Sequence, residues 1–132
     1  MIYIYYMRYL NESKKDKFPN IQKKQVGDFL VLIGRDAVSN DYLTTIEAYS
    51  DDLWFHAKGV PGSHVVIRVK DRLPDKLVIE EVAKIAAKNS KCKDDECIVV
   101  YCKAKFVTKD SSMNVGQVKV DYRNAEEIKV KL

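Results

Sequence analysis

The sequence predicts an α+β domain, with a mostly antiparallel sheet of about seven or eight strands and one main α-helix over about residues 75–90. Two observations carry this prediction. Short apolar or alternating runs, bounded by glycine, proline, asparagine or aspartate, recur along the chain and indicate strands. A single segment changes to the helical period, so we expect one long helix that packs on the sheet.

The length and composition exclude two broad classes of protein. The 132 residues suffice for one domain with its own core. Apolar residues make up 46% and charged residues 32%, which is typical of a folded, soluble chain and not of a disordered one. No apolar run is long enough to span a bilayer. Residues 1–10 lack the basic region and cleavage site of a secretory signal, so no such signal is expected. Their apolar and aromatic, β-rich composition predicts an N-terminal strand.

Glycines and polar clusters divide the segment before residue 52. Residues 11–27 are polar and are expected to form a loop or a loosely ordered insertion that ends at a glycine. A strand over residues 28–33 follows. Residues 34–41 are expected to be a turn-rich connector, and residues 44–49 are a further β-prone run.

The predicted helix carries an apolar stripe. Val78, Val82 and Ile85 recur at helical spacing, and the alanines beside them favour close packing on a sheet. Glu80 and Lys84 are one turn apart, in the favourable order for an ion pair. This segment therefore covers one face of the sheet.

The C-terminal third alternates between strand and turn patterns. A strand begins at about residue 98 and is expected to continue to residue 107, and residues 109–116 form a polar loop. The segments 117–122 and 127–132 both alternate apolar and polar residues. They predict a terminal hairpin around residues 123–124.

The segment with the strongest functional signal is residues 52–68, which predicts two strands joined by a tight Gly/Pro turn. It contains the only tryptophan and both histidines. Because side chains alternate along a strand, Leu53 and Phe55 are expected to face the core. Trp54 and His56 then lie on the opposite face, which we expect to be available to a ligand.

The positive charge is unevenly distributed. The net charge is +4, and residues 1–27, with six basic and two acidic residues, account for the whole excess. We therefore expect an N-terminal strand plus a basic polar extension over residues 1–27 and the domain proper over residues 28–132. Within the domain, two windows free of acidic residues contain cations, one in the predicted hairpin and one over residues 97–109. Such local patches attract polyanions.

These windows supply candidate contacts to a nucleic acid, since cations bind phosphates, rings stack on bases and glycine permits close backbone approach. The candidate residues are Trp54, His56, Lys58, Gly62, Ser63, His64, Arg68, Lys103, Lys105 and Lys109. Each has a plain structural alternative. The tryptophan can be a packing residue, the histidines can be hydrogen-bonded core residues, and the lysines can be solvated strand faces.

Metal binding and hydrolytic catalysis find little support in the sequence. Two histidines without a third ligand argue against zinc, and no metal or other cofactor is predicted. A hydrolytic site built from Asp52, His56, Ser63 and His64 lacks a carboxylate cluster and a nucleophile motif, so no enzyme is predicted. The three cysteines match no zinc pattern and are expected to be reduced thiols in a cytoplasmic setting.

Four sequence blocks follow one another along the chain: residues 33–44, residues 52–68, the alanine-rich helix before residue 91, and residues 103–118. The second block is long and specific, with a Trp-x-His and a Pro-Gly-Ser-His signature. In this order the four blocks resemble the NFACT-R family, the C-terminal RNA-binding domain of NEMF-, RqcH- and FbpA-type ribosome quality-control proteins. In the fourth, Lys109-Asp110 replaces the family's usual Lys-Pro. The family's other modules have no counterpart here, so the resemblance implies a standalone version.

The resemblance implies a non-enzymatic module that binds structured RNA, either tRNA or rRNA, in a translation-associated, cytoplasmic context. It also adds Arg35 and Asn40 to the candidate RNA-binding residues. Without it, both would be interpreted as turn residues, with Arg35 paired to Asp36 or Asp41. Two alternatives remain. One is a docking module for a ribosomal or NFACT-N-like protein partner, and the other is a DNA-binding protein.

Overall fold

The computed structural model describes residues 18–132. The N-terminal strand predicted over residues 1–10 and the first part of the extension lie outside the described residues. The model has eight strands, two α-helices and a π-helical turn in that region. In chain order they are β1 (Ile21–Val26), β2 (Phe29–Gly34), α1 (Ala37–Tyr42), the π-helical turn (Leu43–Glu47), β3 (Leu53–Ala57), β4 (Val65–Ile67), α2 (Lys76–Lys88), β5 (Glu96–Lys103), β6 (Val107–Thr108), β7 (Lys119–Val120) and β8 (Glu126–Lys131).

Six of these strands form one antiparallel sheet in the order β1-β2-β4-β3-β5-β8. β3 lies near the centre, where Phe55 pairs with Val65 on one side and Tyr101 on the other. β6 and β7 form a separate two-stranded sheet. The predicted α+β class, with a mostly antiparallel sheet and one main helix, is confirmed.

Both faces of the large sheet are covered. On one face, Val31, Phe55 and Val65 pack with α2, whose buried residues include Val82 and Ala86. On the opposite face, a second cluster of Leu32, Leu43, Trp54, Val66, Val100, Cys102 and Val107 packs under the π-helical turn and the small sheet. The predicted alternation along β3 is confirmed. The face expected to be open to a ligand is instead a second core.

Two segments before β3 differ from the prediction. Residues 21–26 form a strand instead of a loop, because Gly27, with φ of 56°, and Asp28 make a two-residue turn that pairs β1 with β2. Polar residues are usual on such an edge strand, and their number led to the prediction of a loop. The connector over residues 34–41 contains α1, because Asp36 caps the helix by accepting a hydrogen bond from the Ser39 N–H at 2.8 Å.

The run over residues 44–49 is also not a strand, since residues 43–47 form the π-helical turn. Neither do residues 117–122 and 127–132 form a hairpin with each other. β7 pairs with β6, and β8 returns to the large sheet and pairs with β5. The predicted strand over residues 98–107 is interrupted at residues 104–106 by a 3-10 turn. Alternation predicted strands correctly in the C-terminal segments, where β7 and β8 form, but not at residues 44–49. It gave no information about which strands pair.

The loops carry two further corrections. β3 and β4 are joined by a longer loop over residues 58–64 and not by a tight turn. Cys92 and Cys97 form a disulfide, and Cys102 is free and buried, so the prediction of three reduced thiols is wrong. Cys92 lies in the loop between α2 and β5, and Cys97 is the second residue of β5. Their Cα atoms are 6.3 Å apart, within the range that a disulfide bridges. In residues 18–132, no helix has the length and apolarity needed to cross a membrane.

Candidate nucleic-acid interface

A groove crosses the end of the large sheet where β2 and β3 end and β4 begins, and His56 lies at its centre. His56, Pro61 and Gly116 line both halves of the groove. One half continues to Arg35, Ser63 and Asn89, and the other continues to Lys58, Gln117 and Tyr122. We call this surface the His56 groove. Its lining contains eight of the predicted residues, namely Arg35, Asn40, Trp54, His56, Lys58, Gly62, Ser63 and His64, of which Trp54 and His64 form its buried floor.

Arg35 is the charged group of the first half. It is exposed, and its Nη1 donates to Asn89 Oδ1 at 2.9 Å and to Gln22 Oε1 at 3.4 Å. The alternative pairing with Asp36 or Asp41 is absent, because Asp36 caps α1 and Asp41 pairs with Lys109. No carboxylate lies within 4.0 Å of this guanidinium among residues 18–132. Its positive charge is therefore free to attract an anion.

Asn40 fixes the floor of this half and is itself buried. Its Oδ1 accepts a hydrogen bond from the His64 N–H at 3.0 Å, and its Nδ2 donates to the Gly62 carbonyl at 3.4 Å. The side chain thus holds the start of β4 against α1. This contact is close because Gly34 has no side chain, and a Cβ there would lie 2.0 Å from Asn40 Oδ1.

Replacement of Gly34 by alanine is therefore expected to displace Asn40 and lower the free energy of unfolding by about 1–3 kcal/mol. Urea unfolding of Gly34→Ala, Asn40→Ala and the double variant measures this. If the clash is the cause, the double variant loses less than the sum of the two single losses. Strictly additive losses would place the cost of Gly34→Ala elsewhere.

His56 is partly exposed and is held as a neutral ring. Burial lowers its pKa below the usual value, partly opposed by a hydrogen bond to the backbone of Gly62. Its ring stacks on Trp54, with centroids 5.8 Å apart. Gly62 lies so close to the end of α2 that a Cβ would meet Ser90 at 2.7 Å. Because the His56 ring is neutral and partly exposed, it can form hydrogen bonds with a neutral base edge or a hydroxyl.

The second half of the groove ends at an exposed aromatic ring. Tyr122 is 57% exposed, and the Lys58 ammonium lies 5.6 Å from its ring centroid. Lys58 also forms an ion pair with Glu127. Its charge is therefore partly compensated, unlike that of Arg35.

Two other predicted residues lie beneath the groove. Trp54 and His64 are each 1% exposed, and both contact the Thr44 hydroxyl, to which Trp54 Nε1 donates at 3.0 Å. His64 Nδ1 lies 2.6 Å from the same oxygen. Burial lowers the pKa of His64 to about 3, so the ring stays neutral. Neither ring has an exposed face on which a base could stack. Both are packing residues, as the structural alternative for them stated.

Arg68 is also turned inward. Its side chain is 10% exposed and its Nη1 donates to buried Asp52 at 3.0 Å, while its Nη2 donates to Glu47 at 3.1 Å. The guanidinium carbon lies 4.4 Å from the Tyr49 ring centroid. Asp52 further accepts hydrogen bonds from the Tyr49 and Val69 N–H groups. Arg68 thus completes an internal network at the other end of β3.

The three lysines of the second window do not line the groove. Lys103 and Lys105 lie at the Arg68 end of β3, where both approach Asp51 at 3.8 Å. Lys109 is largely buried and pairs with Asp41 at 3.1 Å. Its Nζ also donates to the Asn114 and Gln117 carbonyls, which fixes the loop that carries Gly116. Burial nevertheless raises the pKa of Asp41, whose Oδ1 has no hydrogen-bond partner among the described residues.

Asn89, Gly116 and Tyr122 are among the groove residues that the sequence did not predict. Asn89 and Tyr122 lie in segments interpreted only as a helix end and a terminal strand, and Gly116 ends a polar loop. Gly116 has φ of 82° and donates its N–H to Asp41. An isolated glycine in a polar loop was the one available signal. The remaining positions depend on long-range packing.

Comparison with known proteins places this fold among RNA-binding domains. The family model described as "NFACT protein RNA binding domain" matches residues 6–122. The Rqc2 homolog RqcH of Bacillus subtilis (strain 168) is 45% identical over 92 residues, which are 69% of this chain and 16% of that protein. The Rqc2 homolog RqcH of Streptococcus suis is 34% identical over 129 residues, which are 92% of this chain and 23% of that protein.

A solved structure has the same fold. It is the C-terminal part of the fibronectin/fibrinogen-binding protein from Streptococcus suis, with a TM-score of 0.76 and 30% sequence identity. The match covers 95% of this chain and 54% of that chain. This chain thus spans less than a quarter of the length of the two RqcH relatives. Its match to the family model includes much of the N-terminal extension as well as the domain proper.

Proposed function

Because the chain belongs to the NFACT-R family of RNA-binding domains, we propose that it is a non-enzymatic module that binds structured RNA. The RNA is tRNA or rRNA, and the setting is ribosome quality control in the cytoplasm. The observation that carries the proposal is Arg35, an exposed guanidinium with no carboxylate partner among the described residues, at the rim of the His56 groove.

The groove offers complementary chemistry along its length. Arg35 uses one of its nitrogens on two amide oxygens, so other N–H donors remain for a phosphate. Ser63 lines the same half of the groove as Arg35 and adds a hydroxyl group there. At the other end Tyr122 offers an open ring for stacking, and Lys58 lies next to it. His56 lies between them as a neutral hydrogen-bonding group.

The other predicted residues have supporting roles in this proposal. Trp54 and His64 form the layer beneath the groove, and Lys109 holds the Gly116 loop in place. Arg68 stabilises the opposite end of β3. Lys103 and Lys105 form a separate basic patch around Asp51, outside the groove.

The test is fluorescence anisotropy with purified tRNA over a range of salt concentrations. Affinity is expected to fall steeply with salt, because phosphate contacts release counterions. Arg35→Gln is expected to lower affinity by about 10- to 150-fold, since a hydrogen bond to a charged group contributes about 1.5–3 kcal/mol. It should also reduce the log–log salt slope by about 0.7–0.9, equivalent to one phosphate contact.

Arg72→Gln is the matched control, because Arg72 is exposed but already paired with Asp28 outside the groove. Salt-independent binding, or equal losses for the two variants, would contradict the proposal. A duplex DNA of matched length gives the comparison between nucleic acids. Equal affinity for both would indicate general polyanion binding, and no binding to either would favour the protein-docking alternative.

A further inference from the structure

A second groove lies on the surface between β1 and α2. It is lined by Gln22 and Lys24 from β1 and by Glu81, Lys84 and Lys88 from α2. We call it the β1–α2 groove. Lys84 and Lys88 are one helical turn apart, about 6 Å along the axis. Lys24 lies on the same side of β1 as its paired residue Val31, whose side chain packs under α2.

The charge of this groove is largely uncompensated. None of its three lysines has a carboxylate within 4.0 Å in the described part of the chain. The expected pair between Glu80 and Lys84 does not form among the described residues, and Glu80 lies 3.9 Å from Lys76. Glu81 is the one acidic residue of the lining. The groove therefore carries a local excess of two positive charges.

Arg35 connects the two grooves. Its guanidinium, which lines the His56 groove, donates to Gln22 and Asn89, and both of these residues line the β1–α2 groove. Asn89 belongs to both linings. The cations thus form one track that begins at Arg35 and continues along α2, with no acidic side chain between Arg35 and Asn89.

We infer that an RNA strand leaving the His56 groove continues past Arg35 into the β1–α2 groove, where Lys24, Lys84 and Lys88 bind its phosphates. This inference rests on the proposed function and extends it. The lining of the β1–α2 groove contains no aromatic ring on which a base could stack. Its contacts are therefore to the sugar–phosphate backbone and are independent of RNA sequence.

The test compares two triple variants of equal charge. The track triple removes the three lysines of the β1–α2 groove, with the substitutions Lys24→Gln, Lys84→Gln and Lys88→Gln. The control triple removes three exposed lysines elsewhere, with the substitutions Lys23→Gln, Lys70→Gln and Lys131→Gln. Lys23 is a stringent control, because it neighbours Lys24 on β1 but points to the opposite face of the strand. Both triples alter exposed side chains, and thermal unfolding checks that they are folded.

Binding of tRNA is measured by anisotropy across salt for wild type and both triples. The track variant is expected to reduce the log–log salt slope by about 2 or more, from three phosphate contacts at about 0.7–0.9 each. The control triple should change it much less. Equal reductions in both triples would indicate a general charge effect and overturn the inference.

The two proposals fail in different ways. Suppose that the wild type binds tRNA and that Arg35→Gln weakens this binding, but that the track triple does not. The β1–α2 groove is then not a contact surface, and the proposed function still holds. If wild type does not bind tRNA at all, both fail. A short RNA that fills only the His56 groove gives a further check, since its binding should be insensitive to the track triple.

Discussion

Arg68→Ala is expected to lower the free energy of unfolding by about 3–5 kcal/mol, because it leaves the buried Asp52 carboxylate without its cation. Asp52 is fully buried, and Arg68 is its charged partner at 3.0 Å. The same change removes the contacts of the guanidinium with Glu47 and the Tyr49 ring. Chemical denaturation monitored by circular dichroism gives the loss.

Arg72→Ala is the matched control. Like Arg68, Arg72 forms an ion pair with an aspartate, Asp28, and lies over an aromatic ring, that of Phe29. Unlike the Arg68 side chain, the Arg72 side chain is 60% exposed. Such an exposed pair contributes about 0–1 kcal/mol. If Arg68→Ala were no more destabilising than Arg72→Ala and instead weakened RNA binding, Arg68 would be a surface contact, as the sequence first suggested.

Trp54→Ala is expected to cost about 3–5 kcal/mol of stability, the usual range for removing a large buried aromatic side chain. Its ring is 1% exposed within the second core, and the Thr44 hydroxyl would lose the donor at 3.0 Å. Thermal and urea unfolding measure the effect. RNA affinity, measured where the variant is still folded, should change less than stability.

Tyr122→Ala provides the opposite pattern. Tyr122 is 57% exposed at the end of the His56 groove, so its loss is expected to change stability by about 0.5 kcal/mol or less. Its removal should weaken RNA binding by about 1–3 kcal/mol if a base stacks on the ring. A Trp54→Ala variant with normal stability and no RNA binding would reverse these two assignments.

The sequence was sufficient to predict the fold class and the helices and strands whose apolar residues recur with a clear helical or alternating period. Residues 76–88 form the predicted helix, and the alternation of residues 53–57 puts Phe55 and Trp54 on opposite faces. It was insufficient where tertiary pairing decides. The four inner residues of β1 are polar, and they form a strand because a two-residue turn pairs them with β2. A local pattern contains no information on that partner.

The candidate site was predicted in part. Arg35, His56 and Ser63 do meet in one groove, although 21 residues separate the first two in the chain. Arg68 and Lys109 were predicted as phosphate contacts because they lie in segments without acidic residues. In the structure each forms an ion pair with a carboxylate from another part of the chain. Asp52 and Asp41 supply those acids. Burial of a charged side chain is a property of the assembled core and not of neighbouring sequence.

Covering both faces of the large sheet has a consequence for how RNA can approach. Some RNA-binding domains, such as the RRM, stack bases flat on an open sheet. Here α2 occupies one face and the π-helical turn with the small sheet occupies the other. In the proposed function, the nucleic acid therefore meets the domain edge-on, along the rim of the sheet and the side of a helix. Such a mode of approach follows the contour of a folded RNA more than the identity of its bases.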